Sequence, residues 1–164
     1  MTPGFLPATS PQVARRRAVV AWTFVGVQAL LLAGIVVAPR DDSWQLSQFV
    51  RAGGTGLVVV GVGVGLWAAA RLGRGLTPSP LPNGAISLVS RGPYRLVRHP
   101  MYTAVMLLAG GVATRSGSWL VVAQTVALIV LFNVKARWEE RRLAETFSDY
   151  KSYQATTPRF LPMP

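Results

Sequence analysis

The stretch "AVVAWTFVGVQALLLAGIVVA", Ala18 to Ala38, carries no charge, and Thr23 and Gln28 are its only clear polar interruptions. At 1.5 Å per residue a helix of this length reaches about 30 Å, the thickness of a bilayer's hydrocarbon core. The run therefore reads as a transmembrane helix. It is longer than the apolar core of a typical signal peptide, and further apolar segments follow it, so a cleaved leader is rejected.

Working outward, Gly53 to Ala70, "GGTGLVVVGVGVGLWAAA", reads as a second span. Its glycine content suits a membrane, where close helix contact offsets weak helix propensity. Gly61, Gly65 and Ala69 offer a small-residue face for pairing, within the chain or between chains. Tyr102 to Thr114 and Trp119 to Val134 are two shorter apolar runs separated by "RSGS". They read as a helical hairpin, gaining length from their flanks or from local thinning of the bilayer, with a re-entrant hairpin as the alternative. The fold class expected is all-α: a polytopic membrane protein of about four transmembrane helices, the last two as a hairpin, plus a cytoplasmic C-terminal helix.

The basic residues test this topology. If four spans are drawn, Arg15, Arg16, Arg17, Arg71, Arg74, Arg91, Arg95, Arg98, Lys135, Arg137, Arg141, Arg142, Lys151 and Arg159 fall on one side. Only Arg40, Arg51 and Arg115 fall on the other. This positive-inside asymmetry puts both termini in the cytoplasm. The net charge of +11 thus records topology, and a nucleic-acid partner is not expected. With no cysteine in the chain, disulfides, thiolate catalysis and thiol metal sites are excluded, and no metal is assigned. The preference for Gly, Ala, Val and Arg points to a bacterial source and hence to the inner membrane.

The chain reads as a single integral membrane domain over residues 1–164. Residues 1–14 form a Pro-rich tail, 15–70 the first two spans, and 71–164 a long loop expected to carry function, the hairpin and the C-terminal helix. Between Arg71 and Pro100, Pro78, Pro80, Pro82, Asn83-Gly84 and Gly92-Pro93 rule out a long helix. A loop this long in so small a membrane protein is usually functional. Lys135 to Tyr153 reads as a polar helix continuing from the last span. Leu143, Phe147 and Tyr150 give it one face, which extends back to Glu139 and Glu140.

The polar residues cluster in "GPYRLVRHPMY", Gly92 to Tyr102. Pro100 forces His99 out of the helical region and itself suits the first turn of the following helix. Arg98 and His99 therefore sit at a helix N-terminus, where free amides and arginines favour an anion. Tyr94 and Tyr102 offer faces for a flat ring. Each residue also has a plainer role: arginines as membrane anchors, tyrosines in the interfacial belt, a histidine held for structure, and Glu139 or Glu140 in a surface salt bridge. The convergence of all these types in eleven residues, with an acidic pair on the emerging helix, favours a ligand with acidic and cationic groups and an aromatic base.

These blocks resemble the isoprenylcysteine carboxyl methyltransferase and phospholipid methyltransferase-like integral membrane enzymes. The resemblance rests on "LVSRGPYRLVRHPMY" (Leu88 to Tyr102), a hydrophobic hairpin, "EERRLAETFSDYKSY" (Glu139 to Tyr153) and "TPRFLP" (Thr157 to Pro162), with "LGRGLTPSPLP" (Leu72 to Pro82) upstream. It implies an S-adenosylmethionine site at the cytoplasmic boundary. Leu88 and Val89 would line it, Tyr94, His99, Pro100, Met101 and Tyr102 would surround the cofactor, and Glu139 would contact it from the last helix. Lys135 holds the place where eukaryotic members carry an arginine that meets the substrate. Ser148 also departs from the glycine or proline of many members.

The reaction expected is methyl transfer to a lipid-like or prenylated acceptor reaching the site from the bilayer. A carboxylate acceptor needs no base and could be oriented by Arg98 or Lys135. An amine needs a proton acceptor, for which His99 and Glu140 are candidates. Two other readings stand beside it: a non-catalytic membrane subunit whose basic loop binds anionic lipid or a partner, and a reductase on the same scaffold.

Overall fold

The computed structural model describes residues 10–39, 45–73 and 88–161. Among these residues six helices follow in order: α1 (Pro11–Val37), α2 (Gln48–Leu72), α3 (Pro93–Leu96), α4 (Pro100–Ser116), α5 (Trp119–Thr146) and α6 (Tyr150–Thr156). No strand occurs among the described residues. Arg40, Arg74, most of the Pro-rich loop with Pro78, Pro80, Pro82 and Asn83-Gly84, and the first nine residues of the tail lie outside them.

Among the described residues, α1, α2 and α5 are long and apolar enough to cross a membrane. Trp22, Leu30, Val36, Val59, Leu66 and Val130 stand exposed along them, as side chains that meet lipid must. α4 has 17 residues, a length of about 25 Å, and falls short of the same criterion. It is instead the helix most enclosed by its neighbours, with α2 on one side and α5 on the other, while α5 in turn packs on α1. Ile35, Ala109, Ala113, Val121, Leu128 and Phe132 form the core between α1, α4 and α5.

Two expected boundaries shift. The tail was read as residues 1–14, but α1 already starts at Pro11, a residue suited to a first helical turn because its missing N–H costs nothing there. The polar helix read as Lys135 to Tyr153 is broken. α5 ends at Thr146, Phe147 leaves the helix with φ −117° and ψ 119°, and a new short helix begins at Tyr150. Ser148 and Asp149 between them favour turns and caps over helix interiors, so the chain can turn back across the end of the bundle.

The hairpin forms as expected. Gly117, at φ 61°, ends α4 in the left-handed region, and Ser116 Oγ accepts from the Ser118 N–H at 3.2 Å. The small-residue face of α2 pairs within the chain, against α4. A Cβ added to Gly61 would lie 3.0 Å from both the Ala104 carbonyl oxygen and the Leu108 amide nitrogen. One on Gly111 would lie 2.8 Å from Val58 Cγ2. Gly54 and Ala68 are buried with Gly61, so the face extends farther toward the N-terminus of α2 than Gly61, Gly65 and Ala69 alone. Close backbone approach is how helices associate in lipid, where no hydrophobic gain separates helix from solvent.

The pairs α2–α4, α4–α5 and α1–α5 are antiparallel, which gathers particular ends together. Arg17 on α1 pairs with Glu145 on α5 at 3.3 Å, and Gly92 lies against the Arg71 stem of α2. At the other end, Arg115 donates to Thr55 Oγ1 at 3.0 Å. Arg17, Arg71, Arg98, Arg142 and Arg159 thus share one end with α3 and α6, while Arg51 and Arg115 lie at the opposite end.

Replacing Gly61 by Leu should overpack the α2–α4 contact and destabilise the protein by about 1–3 kcal/mol. Gly63→Leu, at a position with nothing within 4 Å, should change stability little. Unfolding of both variants in mixed detergent micelles checks this.

Candidate functional site at the basic end of the bundle

The site is built where α5 emerges from the apolar core. Adjacent positions on a helix point about 100° apart, so Glu139 and Glu140 enter different surroundings. Glu140, only 3% exposed, faces the chain that crosses the bundle end. Arg159 grips it with a fork, Nε to Oε1 at 3.0 Å and Nη2 to Oε2 at 2.7 Å. Arg98 donates Nε to Oε1 at 3.0 Å and brings Nη2 within 2.9 Å of the same oxygen. Gln154 Nε2 donates to Oε2 at 3.4 Å, and His99 Nε2 lies 3.1 Å from Oε1.

Arg98 spends its remaining donor on the tail. Its Nη1 donates to the carbonyl oxygens of Gln154, at 2.9 Å, and Thr157. The backbone follows suit: the amides of Arg98 and His99 donate to the carbonyls of Pro158 and Arg159 at 2.9 and 3.1 Å. Thr103 Oγ1 donates to the Phe160 carbonyl at 2.8 Å. The segment Thr157 to Phe160 therefore lies over the start of α4, the place the sequence reading offered to an anion.

Glu139 points toward the bundle interior. Tyr102 donates its hydroxyl to Glu139 Oε2 at 2.9 Å, and His99 Nδ1 stands 3.8 Å from that oxygen. His99, Tyr102 and Phe132 stack in sequence, with ring centroids 5.2 and 4.7 Å apart and planes within 7° of parallel. One turn before Glu139, Lys135 is 2% exposed. Its Nζ donates to Gln28 Oε1 of α1 at 2.7 Å and lies 5.1 Å from the centroid of the Tyr102 ring. Gln28, one of the two polar interruptions of the first apolar run, thus meets the site across 107 residues of sequence.

Tyr94 is buried in α3, which begins after Gly92 at φ 64°, a conformation that glycine takes without strain. Its carbonyl accepts from the Tyr153 hydroxyl of α6. Burial, reinforced by the charge of Glu139, pushes the Tyr94 phenol from its ordinary value up to about 12. Burial likewise lifts Tyr153 to about 12 against the opposing field of Arg98. Leu88, Val89 and Met101 are half-buried, and Pro100 is buried at the start of α4.

The structure therefore brings His99, Tyr102, Lys135 and Glu139 into one connected group. It gathers Arg98, His99 and Glu140 into a second, with His99 common to both. Sequence reasoning assigned no site role to Gln28, Gln154 or Arg159. Gln28 had a visible signal in its isolation among apolar residues, whereas Arg159 had none beyond its place in the closing motif and Gln154, between the two C-terminal motifs, had none.

A helical membrane bundle with an arginine-histidine-proline-x-tyrosine turn facing a helix-borne acid defines a class, and the chain belongs to it: the phospholipid methyltransferase family, whose model matches residues 49–150. Among curated relatives, the cobalt-zinc-cadmium resistance protein CzcN of Cupriavidus metallidurans is 34% identical over 102 residues, which cover 62% of this chain and 46% of that protein. The nickel-cobalt-cadmium resistance protein NccN of Alcaligenes xylosoxydans xylosoxydans is 28% identical over 147 residues, 84% of this chain and 64% of that protein. The chain thus spans about half to two thirds of the length of these relatives. Among the described residues here, no group of three or more His, Cys, Asp or Glu side chains could hold a metal ion.

The family implies S-adenosylmethionine as cofactor, and the donor set suits it. Glu139 is a partly accessible carboxylate whose hydrogen bond among the described residues falls on Oε2, able to accept from an ammonium or a hydroxyl. The Tyr150 hydroxyl nearby is buried without a hydrogen-bond partner among the described residues, an orphan that a bound polar group would satisfy.

Removing one side of a buried ion pair costs about 3–5 kcal/mol. Glu140→Gln should therefore release the tail and speed tryptic cleavage after Lys151 and Arg159, whereas Glu145→Gln, on an exposed pair, should not. Tyr94 and Tyr153 stay protonated in the fold above the pH at which they ionise unfolded. Their contribution is complete below about pH 10 and should be lost as pH rises through about 12. Tyrosinate absorbance followed alongside unfolding checks the sign.

Proposed function

We propose that this chain transfers a methyl group from S-adenosylmethionine to a lipid-like or prenylated acceptor at the basic end of its bundle, on the cytoplasmic face. The observation that carries this reading is the Lys135–Tyr102–Glu139–His99 group, placed where α5 leaves the apolar core in a member of this family. When bound, the cofactor supplies a methyl group that is already electrophilic on its sulfonium. The chain's task is then to align an acceptor and exclude water.

Leu88, Val89, Tyr94, His99, Pro100, Met101 and Tyr102 form one wall of the cofactor site, and Glu139 accepts hydrogen bonds from the other. Tyr102 fixes the Glu139 carboxylate, and Gln28 fixes the Lys135 ammonium. Lys135 orients a carboxylate acceptor. For an amine acceptor, His99 takes the proton on Nδ1, since Nε2 faces the acceptor-only Glu140 and carries the ring hydrogen. Arg98 and Glu140 act as positioning residues: their hydrogen-bonding capacity holds the tail that closes the site, rather than touching the acceptor. With both termini in the cytoplasm, α4 crosses together with its flanking residues as the fourth span.

A second reading, a non-catalytic subunit binding anionic lipid, draws support from Arg15, Arg16, Arg91 and Arg95, all exposed on that same end. The two readings diverge on Glu139. Calorimetry with S-adenosylhomocysteine should show binding by the purified protein and at least a tenfold loss in Glu139→Gln, roughly the worth of a charged hydrogen bond. Cells given isotope-labelled methionine should gain a labelled lipid only when they carry the gene. Absence of nucleoside binding, together with liposome binding that tracks summed arginine charge and survives Glu139→Gln, would instead establish the second reading.

A further inference from the structure

Tyr150 opens α6, and its side chain is among the most deeply buried in the protein, 1% exposed. Its hydroxyl has no hydrogen-bond partner among the described residues. That is costly: a buried hydroxyl left unsatisfied forfeits about 1–3 kcal/mol relative to one that is paired, while a phenyl ring in the same place forfeits nothing. The neighbourhood is not short of polar groups. Glu140, Arg98, Glu139 and Tyr153 all lie within electrostatic reach. Yet Glu140 is taken up by Arg98, Arg159, His99 and Gln154, and the Tyr153 hydroxyl by the Tyr94 carbonyl. The hub that anchors α6 thus fixes the Tyr150 ring through its surroundings and leaves its hydroxyl unspent.

We infer that Tyr150 is a ligand-contact residue, its hydroxyl donating a hydrogen bond to an acceptor atom of the nucleoside cofactor bound at this end of the bundle. This rests on the methyltransferase reading above. The cofactor is favoured over the lipid acceptor because Tyr150 opens α6 at the polar end of the bundle, its ring centroid 6.0 Å from that of Tyr153. Lys135 and Gln28 instead join α5 to α1 within the apolar bundle. Tyr150 lies on α6, apart from the arginine-histidine-proline-x-tyrosine turn and from Glu139, so it adds a third element to the site. It also gives the break in α5–α6 a purpose: an uninterrupted helix would have carried Tyr150 past the end of the bundle.

The test is Tyr150→Phe in the full chain, which removes one oxygen and keeps the ring. Without ligand the variant should unfold at the same or a higher detergent concentration than the wild type, since an unsatisfied hydroxyl is exchanged for hydrogen. With S-adenosylhomocysteine its Kd should rise about three- to tenfold, the worth of one hydrogen bond. Tyr153→Phe, which deletes a bond made inside the chain, should instead lower stability without ligand. The inference is overturned if Tyr150→Phe loses stability without ligand, for then the hydroxyl already has a partner, or if it binds S-adenosylhomocysteine as tightly as the wild type. A wild type that binds no S-adenosylhomocysteine overturns the methyltransferase reading and this assignment together, whereas wild-type binding that Tyr150→Phe leaves unchanged overturns the assignment alone.

Discussion

Glu140 is a carboxylate almost out of reach of solvent, and its two oxygens meet two guanidinium groups, an imidazole and a carboxamide. A charge so buried is tolerated only when paired and fully hydrogen-bonded. That requirement draws four separate parts of the chain to one point: the turn before α4 through Arg98 and His99, the end of α5 through Glu140 itself, α6 through Gln154, and the tail through Arg159. Once these are in place, Arg98 binds the carbonyls of Gln154 and Thr157, and the tail has nowhere to lie but across the start of α4. The closed end of the bundle follows from satisfying one acid.

The rest of the architecture sets where that point falls. Glycines at the α2–α4 contact let two backbones touch, which fixes the axial position of α4 and so the depth of His99 and Tyr102 relative to the apolar core. Packing of α5 between α4 and α1 then brings Lys135 against Tyr102 on one side and Gln28 on the other. A lysine so deeply buried needs an acceptor, and α1 supplies it from within an otherwise apolar run. α1 precedes the segment matched by the family model, residues 49–150, yet it completes the site. His99 joins the two halves of the arrangement, with one ring nitrogen toward Glu140 and the other toward Glu139. The tail, held to Glu140, and the Glu139–Tyr102 pair thus meet at a single imidazole.

Much of this was legible in the residues. The apolar runs announced their helices through length alone, because a hydrocarbon core has a fixed thickness. The Pro100 turn and the hairpin glycine, Gly117, marked boundaries that backbone sterics enforce. The helix read from Lys135 to Tyr153 illustrates the opposite case. Its periodicity was real, but periodicity reports which face is apolar and not whether the axis stays straight. Ser148 and Asp149 permit a turn after Phe147, and the contacts of Gln154 with Glu140 and Arg98 hold the chain in it.

What the sequence determined by itself was therefore the apolar helices, the basic end and the polar turn around His99, since hydropathy, charge and local sterics are properties of short stretches. The meeting of that turn with the acidic pair was implied by the family resemblance. Tertiary structure alone decided which acid does what. Glu139 and Glu140 are neighbours of identical chemistry, and the 100° between them on α5 sends one to Tyr102 and the other to Arg98 and Arg159. Their partners come from residues as distant as Tyr102 and Arg159, and Lys135 finds its acceptor in Gln28. Such choices belong to packing, which no local pattern records.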